Sequence, residues 1–109
     1  MDDSNKLFEK EIFKIYNCSF YIDSYNYDSE KKMLNFMIRL DPEKSNTIKL
    51  TFKNIEDYNC IVEKESESED YLRQIIGIDN YSINGKYKVV INCEDTEFIF
   101  TTDALPQIY

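Results

Sequence analysis

The stretch SFYIDSYNYDSEKKMLNFMIRL, residues 19–40, decides the fold because polar and apolar side chains alternate along both of its halves. Alternation with a period of two is typical of a β-strand that has one face in a core. The polar residues 28–32 between the halves have the composition of a turn. The sequence therefore predicts an antiparallel hairpin. The residues of its second strand predicted to face the core are Leu34, Phe36, Ile38 and Leu40.

The same period continues toward the C-terminus. Further strands are predicted at 47–53, 58–63, 71–83, 86–93 and 97–103. The pair Asn84-Gly85 predicts a type I′ hairpin turn, because both residues accept positive φ. Gly77 interrupts its strand and predicts a bulge or a bend. The tail, residues 104–109, is expected to wrap the sheet edge or to fray.

Residues 4–16 differ from the rest of the chain. Phe8, Ile12 and Ile15 recur at helical spacing after good N-cap residues, which predicts a helix. A strand over residues 12–16 is the alternative, since Ile and Phe are weak helix formers. Short turns favour antiparallel pairing of neighbouring strands. The predicted fold class, with one helix and many strands, is therefore α+β and mainly β. We expect about seven antiparallel strands in a curled sheet or half-barrel with one N-terminal helix.

The chain has 109 residues, 42% of them hydrophobic, which is enough for one core, so residues 1–109 are predicted to form a single domain. The formal net charge is −8, from 13 basic and 21 acidic residues. Such a charge disfavours direct binding to nucleic acid and suits either solubility or a basic partner. No apolar run approaches the roughly 20 residues of a membrane span. The acidic start Met1-Asp2-Asp3 is unlike a signal peptide, so we expect a cytoplasmic protein without membrane contact.

The residue types for common catalytic chemistry are missing. The chain has no histidine, so a Ser–His or Cys–His nucleophile cannot be assembled from it. Cys18, Cys60 and Cys93 are too widely spaced for a zinc site and are expected to be reduced, buried thiols. We therefore expect no enzyme and no cofactor or metal. Pairs of carboxylates remain the open alternative, because acidic residues are abundant.

One feature of the first strand points to binding. If its even positions face the core, its odd positions place three tyrosines and an acid on the other face, namely Tyr21, Asp23, Tyr25 and Tyr27. A solvent-facing strip of this composition resembles the hot spots of protein interfaces, with Asp23 meeting a basic group of the partner. The alternative is a sheet covered on both faces, in which the tyrosines pack as amphipathic core residues.

An acidic segment, residues 63–70 (EKESESED), holds five carboxylates and one lysine. Their mutual repulsion predicts an exposed loop. It is either simply solvated or a patch that steers a cationic partner. The residues predicted to assist partner binding in this way are Glu65, Glu67, Glu69 and Asp70.

The arrangement of residues 18–40, then TIKLTFKNI (47–55), then the late IIGIDNYSINGKYKVVINCEDTEFIFTTD (75–103) resembles small acidic β-rich bacterial immunity proteins. Such proteins accompany polymorphic or secreted toxins. The resemblance implies a non-catalytic inhibitor that binds one toxin, for example a basic nuclease domain, and occludes its active or essential surface. It carries over no active-site residues.

Two further hypotheses stay open at this point. The first is a phage or mobile-element inhibitor of a host defence nuclease that acts as an acidic nucleic-acid mimic. The second is a small-ligand-binding β-barrel with a cavity lined by Tyr and Met. A homodimer through an exposed edge strand is compatible with each of them.

Overall fold

The computed structural model describes residues 7–13, 20–39, 47–62 and 73–108. In this part of the chain one helix precedes eight strands. They are α1 (Leu7–Phe13), β1 (Tyr21–Asp28), β2 (Met33–Arg39), β3 (Thr47–Phe52), β4 (Glu56–Val62), β5 (Arg73–Ile83), β6 (Lys86–Cys93), β7 (Thr96–Thr102) and β8 (Gln107–Ile108).

The strands form one antiparallel sheet in the order β4-β7-β6-β5-β1-β2-β3-β8. Strands β3 and β4 are joined by residues 53–55 alone, yet they lie far apart in this order. The sheet is therefore curled, so that its two halves face each other. This confirms the predicted class of a mainly antiparallel sheet with a single short N-terminal helix.

Phenylalanine rings fill the space between the two halves. Phe36 of β2 contacts Phe98 of β7 with 5.1 Å between ring centroids. Phe52 of β3 contacts Phe100 of β7 at 4.9 Å. The fully buried rings are those of Phe8, Phe20, Phe36, Phe52, Phe98 and Phe100. Leu34, Phe36 and Ile38 are buried as predicted, whereas Leu40 lies outside the described residues.

Helix α1 is held on β5 by hydrogen bonds at two points. The backbone N–H of Phe8 donates to Oδ1 of the buried Asn80 at 3.1 Å. The N–H of Ile78 donates to Oε1 of Glu9, also at 3.1 Å. The ring of Phe8 packs edge-on against Tyr87 of β6 at 5.2 Å. The predicted helix is thus confirmed over its described part, and the strand alternative for residues 12 and 13 is wrong.

The turn and bulge predicted from glycines are both present. Asn84 and Gly85 have φ of 50° and 78°, as a type I′ turn requires. The register of β5 with β6 shifts between Ile75 and Gly77, which places a bulge there. The tail follows the first of its two expected courses, because Gln107 and Ile108 pair with Thr51 and Leu50 along the sheet edge and form an eighth strand.

Candidate partner-binding site at the end of β1

A bulge in β1 determines which way its tyrosines point. Ile22 lies opposite Ile38 of β2, but the next pair is Ser24 with Met37, so Asp23 is an extra residue. Because side chains alternate between faces, one inserted residue moves every following side chain to the other face. Beyond the bulge Tyr25 lies opposite the buried Phe36.

The interpretation that the four odd positions form one solvent-facing strip is therefore wrong. Tyr21 lies opposite Arg39, on the face away from the core. Asp23 also reaches Arg39, and its Oδ1 accepts a hydrogen bond from Nη2 at 3.2 Å in a partly exposed ion pair. Tyr25 and Tyr27, in contrast, share the core-side face with Phe36. Ser24 and Asn26, the even positions beyond the bulge, are exposed.

Tyr25 lies at the boundary between core and solvent. Its side chain is 36% exposed. The ring meets Phe98 edge-on with 4.8 Å between centroids, and it meets Phe36 at 6.5 Å. The aromatic ring is thus supported from the core side and leaves part of its surface accessible.

Strand β4 brings two further side chains to this boundary. Tyr27 stacks on Tyr58 at 4.5 Å, and the Cys60 thiol donates to the Tyr25 hydroxyl with 3.8 Å between Sγ and Oη. Burial, with the neighbouring Cys60 and Tyr25, raises the pKa of the Tyr58 phenol above its ordinary value of 10.0. Tyr25, Tyr27, Tyr58 and Cys60 are called the tyrosine cluster below.

Tyr58 and Cys60 are not among the site residues predicted from the sequence. Both belong to the predicted strand 58–63, which is mixed on both faces, and nothing in the sequence indicates that side chains of β4 contact those of β1. The expectation of buried thiols holds for Cys93, whereas Cys60 is half-buried; Cys18 lies outside the described residues.

The acidic segment, residues 63–70, lies outside the described residues. Its predicted contribution through Glu65, Glu67, Glu69 and Asp70 stays a prediction from the sequence. In the chain it follows Val62, the last residue of β4, and precedes β5.

The remaining described features lie away from the tyrosine cluster. Among them, no group of three or more Cys, Asp or Glu side chains could hold a metal ion. The buried rings occupy the space between the two halves, which disfavours an internal cavity in this part. A shallow pocket at the start of β4 contains the ion pair of Lys86 Nζ and Glu56 Oε2 at 2.9 Å. The hydrogen bond that Lys86 donates to the exposed Glu56 carboxylate lowers the pKa of Glu56.

In the described ranges there is no helix of the length and apolar character needed to cross a bilayer.

Comparison with known proteins adds no relative. No protein-family model, no curated protein and no solved structure matches the chain. The interpretation of the site therefore depends on its geometry and charge.

Proposed function

We propose that this chain is a non-catalytic protein-binding inhibitor of the immunity type, which acts in the cytoplasm and neutralises a cognate toxin by occluding its active or essential surface. The observation that carries the proposal is the position of Tyr25, exposed in part and packed against Phe98 and Phe36. Tyrosine is enriched among the residues that dominate binding energy at interfaces. A ring held in one orientation loses little side-chain entropy on binding.

Charge supports the choice of a basic partner. The net charge of −8 raises the rate at which a cationic protein meets this one. Asp23 lies at the bulge two residues before Tyr25 and is directed to the other face of β1, where Arg39 partly neutralises it. A cationic group of the partner would then bind the same carboxylate, because a carboxylate can accept several hydrogen bonds and Arg39 makes one of them. The proposed interface thus has the ring of Tyr25 at its centre, and Asp23 can contribute only from its margin, at the bulge where β1 changes face.

The proposal is tested by replacing Asp23 and Tyr25 together by Ala and measuring protection against the toxin. Loss of protection in a variant that keeps its β-sheet circular dichroism supports the site, and unchanged protection refutes it. A matched variant replaces the exposed neighbours Ser24 and Asn26 by Ala, and it is expected to protect as the natural chain does.

The acidic nucleic-acid mimic is distinguished by its partner. It would bind a defence nuclease complex and be displaced by DNA or RNA, with affinity that falls steeply as salt rises. Reversing the charges of Glu65, Glu67 and Glu69 would then abolish inhibition. We expect the immunity-type interaction to weaken under this change and to persist, because its central contacts are aromatic.

A further inference from the structure

The turn between β5 and β6 places an asparagine directly before a glycine. Asn84-Gly85 is the only Asn-Gly pair in the chain, and both residues are exposed at the tip of the hairpin. The turn requires their positive φ of 50° and 78°. The same pair is also chemically reactive, because attack of the Gly85 nitrogen on the side-chain amide carbon of Asn84 closes an unstrained succinimide ring.

Little in the structure hinders this attack. A Cβ placed on Gly85 would have no atom within 4 Å, so the space beside its nitrogen is open to solvent. Ile83 and Lys86, which flank the turn, make the cross-strand pair and leave the Gly85 N–H outside the ladder. In the described part of the chain no hydrogen bond holds the Asn84 side chain. The two reacting groups are thus accessible and unengaged.

The other asparagines of the described ranges lack at least one of these features. Three of them hold their side-chain amides in hydrogen bonds, namely Asn35, Asn54 and Asn80. Tyrosine or cysteine follows the remaining three, which are Asn26, Asn59 and Asn92. A side chain at the following position crowds the attacking nitrogen, whereas glycine permits its close approach. Sequence and structure together therefore single out Asn84.

We propose that Asn84 is a site of spontaneous deamidation. The Gly85 nitrogen gives its proton to hydroxide and bonds to Cγ of Asn84, and the side-chain nitrogen takes a proton from water and leaves as ammonia. Water then opens the succinimide at either carbonyl, which gives aspartate or isoaspartate. In sum, one water is consumed and one ammonia is released. This inference goes beyond the proposed function and does not depend on it.

The product changes a defined neighbourhood. Asn84 lines a shallow pocket with Glu56, Asp57 and Lys86, and Lys86 is already bound to Glu56. A carboxylate at position 84 would compete with Glu56 for this lysine. Isoaspartate also inserts a carbon atom into the backbone of the turn, which the two-residue type I′ geometry does not accommodate. We therefore expect aspartate to be tolerated and isoaspartate to loosen the β5–β6 hairpin.

The test incubates the purified full chain at mildly alkaline pH and follows each asparagine by peptide mapping with mass spectrometry. Asn84 is expected to be converted at least about tenfold faster than Asn26 or Asn59, which are exposed but have bulky successors. The turn must open for the Gly85 nitrogen to reach Cγ, so the conversion should be slower in the folded chain than in urea. Methylation by a protein isoaspartyl methyltransferase measures the isoaspartate formed.

Matched variants assign the reaction and its effect. Asn84→Gly removes the amide and keeps a pair that accepts positive φ, so it should stop the conversion and retain the β-sheet circular dichroism. Asn26→Ala removes an exposed asparagine elsewhere and should leave the conversion unchanged. Asn84→Asp supplies the aspartate product alone and should unfold in urea near the midpoint of the natural chain. The isoaspartate fraction of the aged chain should unfold at lower urea.

Three results would overturn the inference. They are conversion of Asn84 in urea but not in the folded chain, equal conversion at Asn26 or Asn59, and an unchanged release of ammonia from Asn84→Gly. Partner capture that depends on Tyr25 tests the proposed function separately. Either proposal can therefore fail while the other stands.

Discussion

The ring of Tyr25 meets the ring of Phe98 edge-on with 4.8 Å between their centroids, and this contact joins an exposed residue of β1 to the buried face of β7. Phe98 is itself packed against Phe36 at 5.1 Å. The exposed aromatic is therefore an extension of the core, which is a geometry suited to a rigid contact point.

Replacing Tyr25 by Ala is expected to weaken partner binding by about 2 kcal/mol or more, roughly a factor of 30, as at interface hot spots. Tyr25→Phe keeps the ring contact with Phe98 and should lose much less. Asn26→Ala, on the same strand and exposed, is the control. Titration of the purified partner with the three variants gives the comparison. An unchanged dissociation constant for Tyr25→Ala would remove this residue from the interface.

Asp23→Asn separates binding from stability. The Asp23–Arg39 pair is partly exposed, and such pairs contribute only about 0–1 kcal/mol to folding. Urea unfolding should hence change little, while affinity for a basic partner falls and becomes less sensitive to salt. If stability and affinity fell together by similar amounts, the acid would have a structural role instead.

Phe98 should be the residue whose truncation damages the fold most directly. Phe98→Ala removes a fully buried ring from the junction of the two halves and is expected to cost about 3–5 kcal/mol of unfolding free energy. Ile99→Ala, one position further on the opposite and more exposed face, should cost clearly less. Denaturant unfolding of both variants tests this. Equal costs would contradict the assignment of the inner face.

Asn80 is expected to stabilise the docked position of α1. Asn80→Ala leaves the Phe8 N–H without its buried acceptor, at a cost of about 1–3 kcal/mol. Hydrogen exchange of the α1 amides should accelerate more than that of β2. Ser82→Ala, an exposed position of the same strand, serves as the control. The same exchange rates in both variants would show that this hydrogen bond does not hold the helix.

The raised pKa of Tyr58 predicts alkaline sensitivity. The unfolded phenol ionises near its ordinary value of 10.0, whereas the folded one holds its proton to higher pH. Above pH 10 the unfolded state therefore binds fewer protons, and stability falls as pH rises. Tyr58→Phe should flatten this decline between pH 9 and 11 in urea titrations. A natural chain whose stability is constant over that range would contradict the burial of the phenol.

Much of the fold follows from local patterns. Polar and apolar residues alternate along β2 because one face of the strand is buried. Asn84 and Gly85 specify the turn between β5 and β6 because both adopt positive φ. Strands β1–β7 and helix α1 could thus be predicted before their partners were known, whereas β8 was expected only as a tail along the sheet edge or a frayed end.

The site was less predictable, because it depends on contacts between distant segments. The bulge at Asp23 has no glycine to mark it and appears only in the pairing of β1 with β2. The stacking of Tyr27 on Tyr58 requires the curled sheet to bring β4 and β1 close together, although they are not neighbouring strands. No local pattern of residues 56–62 encodes this contact. A sequence can therefore indicate which residues belong to such a site, but not on which face of the sheet each side chain lies.

The proposed function requires that the chain bind a basic protein through the surface around Tyr25. The most direct measurement is affinity capture from a lysate of the organism that carries the gene, at low and then moderate salt, with identification by mass spectrometry. The natural chain and the Asp23→Ala, Tyr25→Ala double variant are used side by side as bait. We expect one stoichiometric basic protein that survives moderate salt on the natural chain and is absent from the variant. A natural chain that retains no protein, or the same proteins on both baits, would contradict the proposed function.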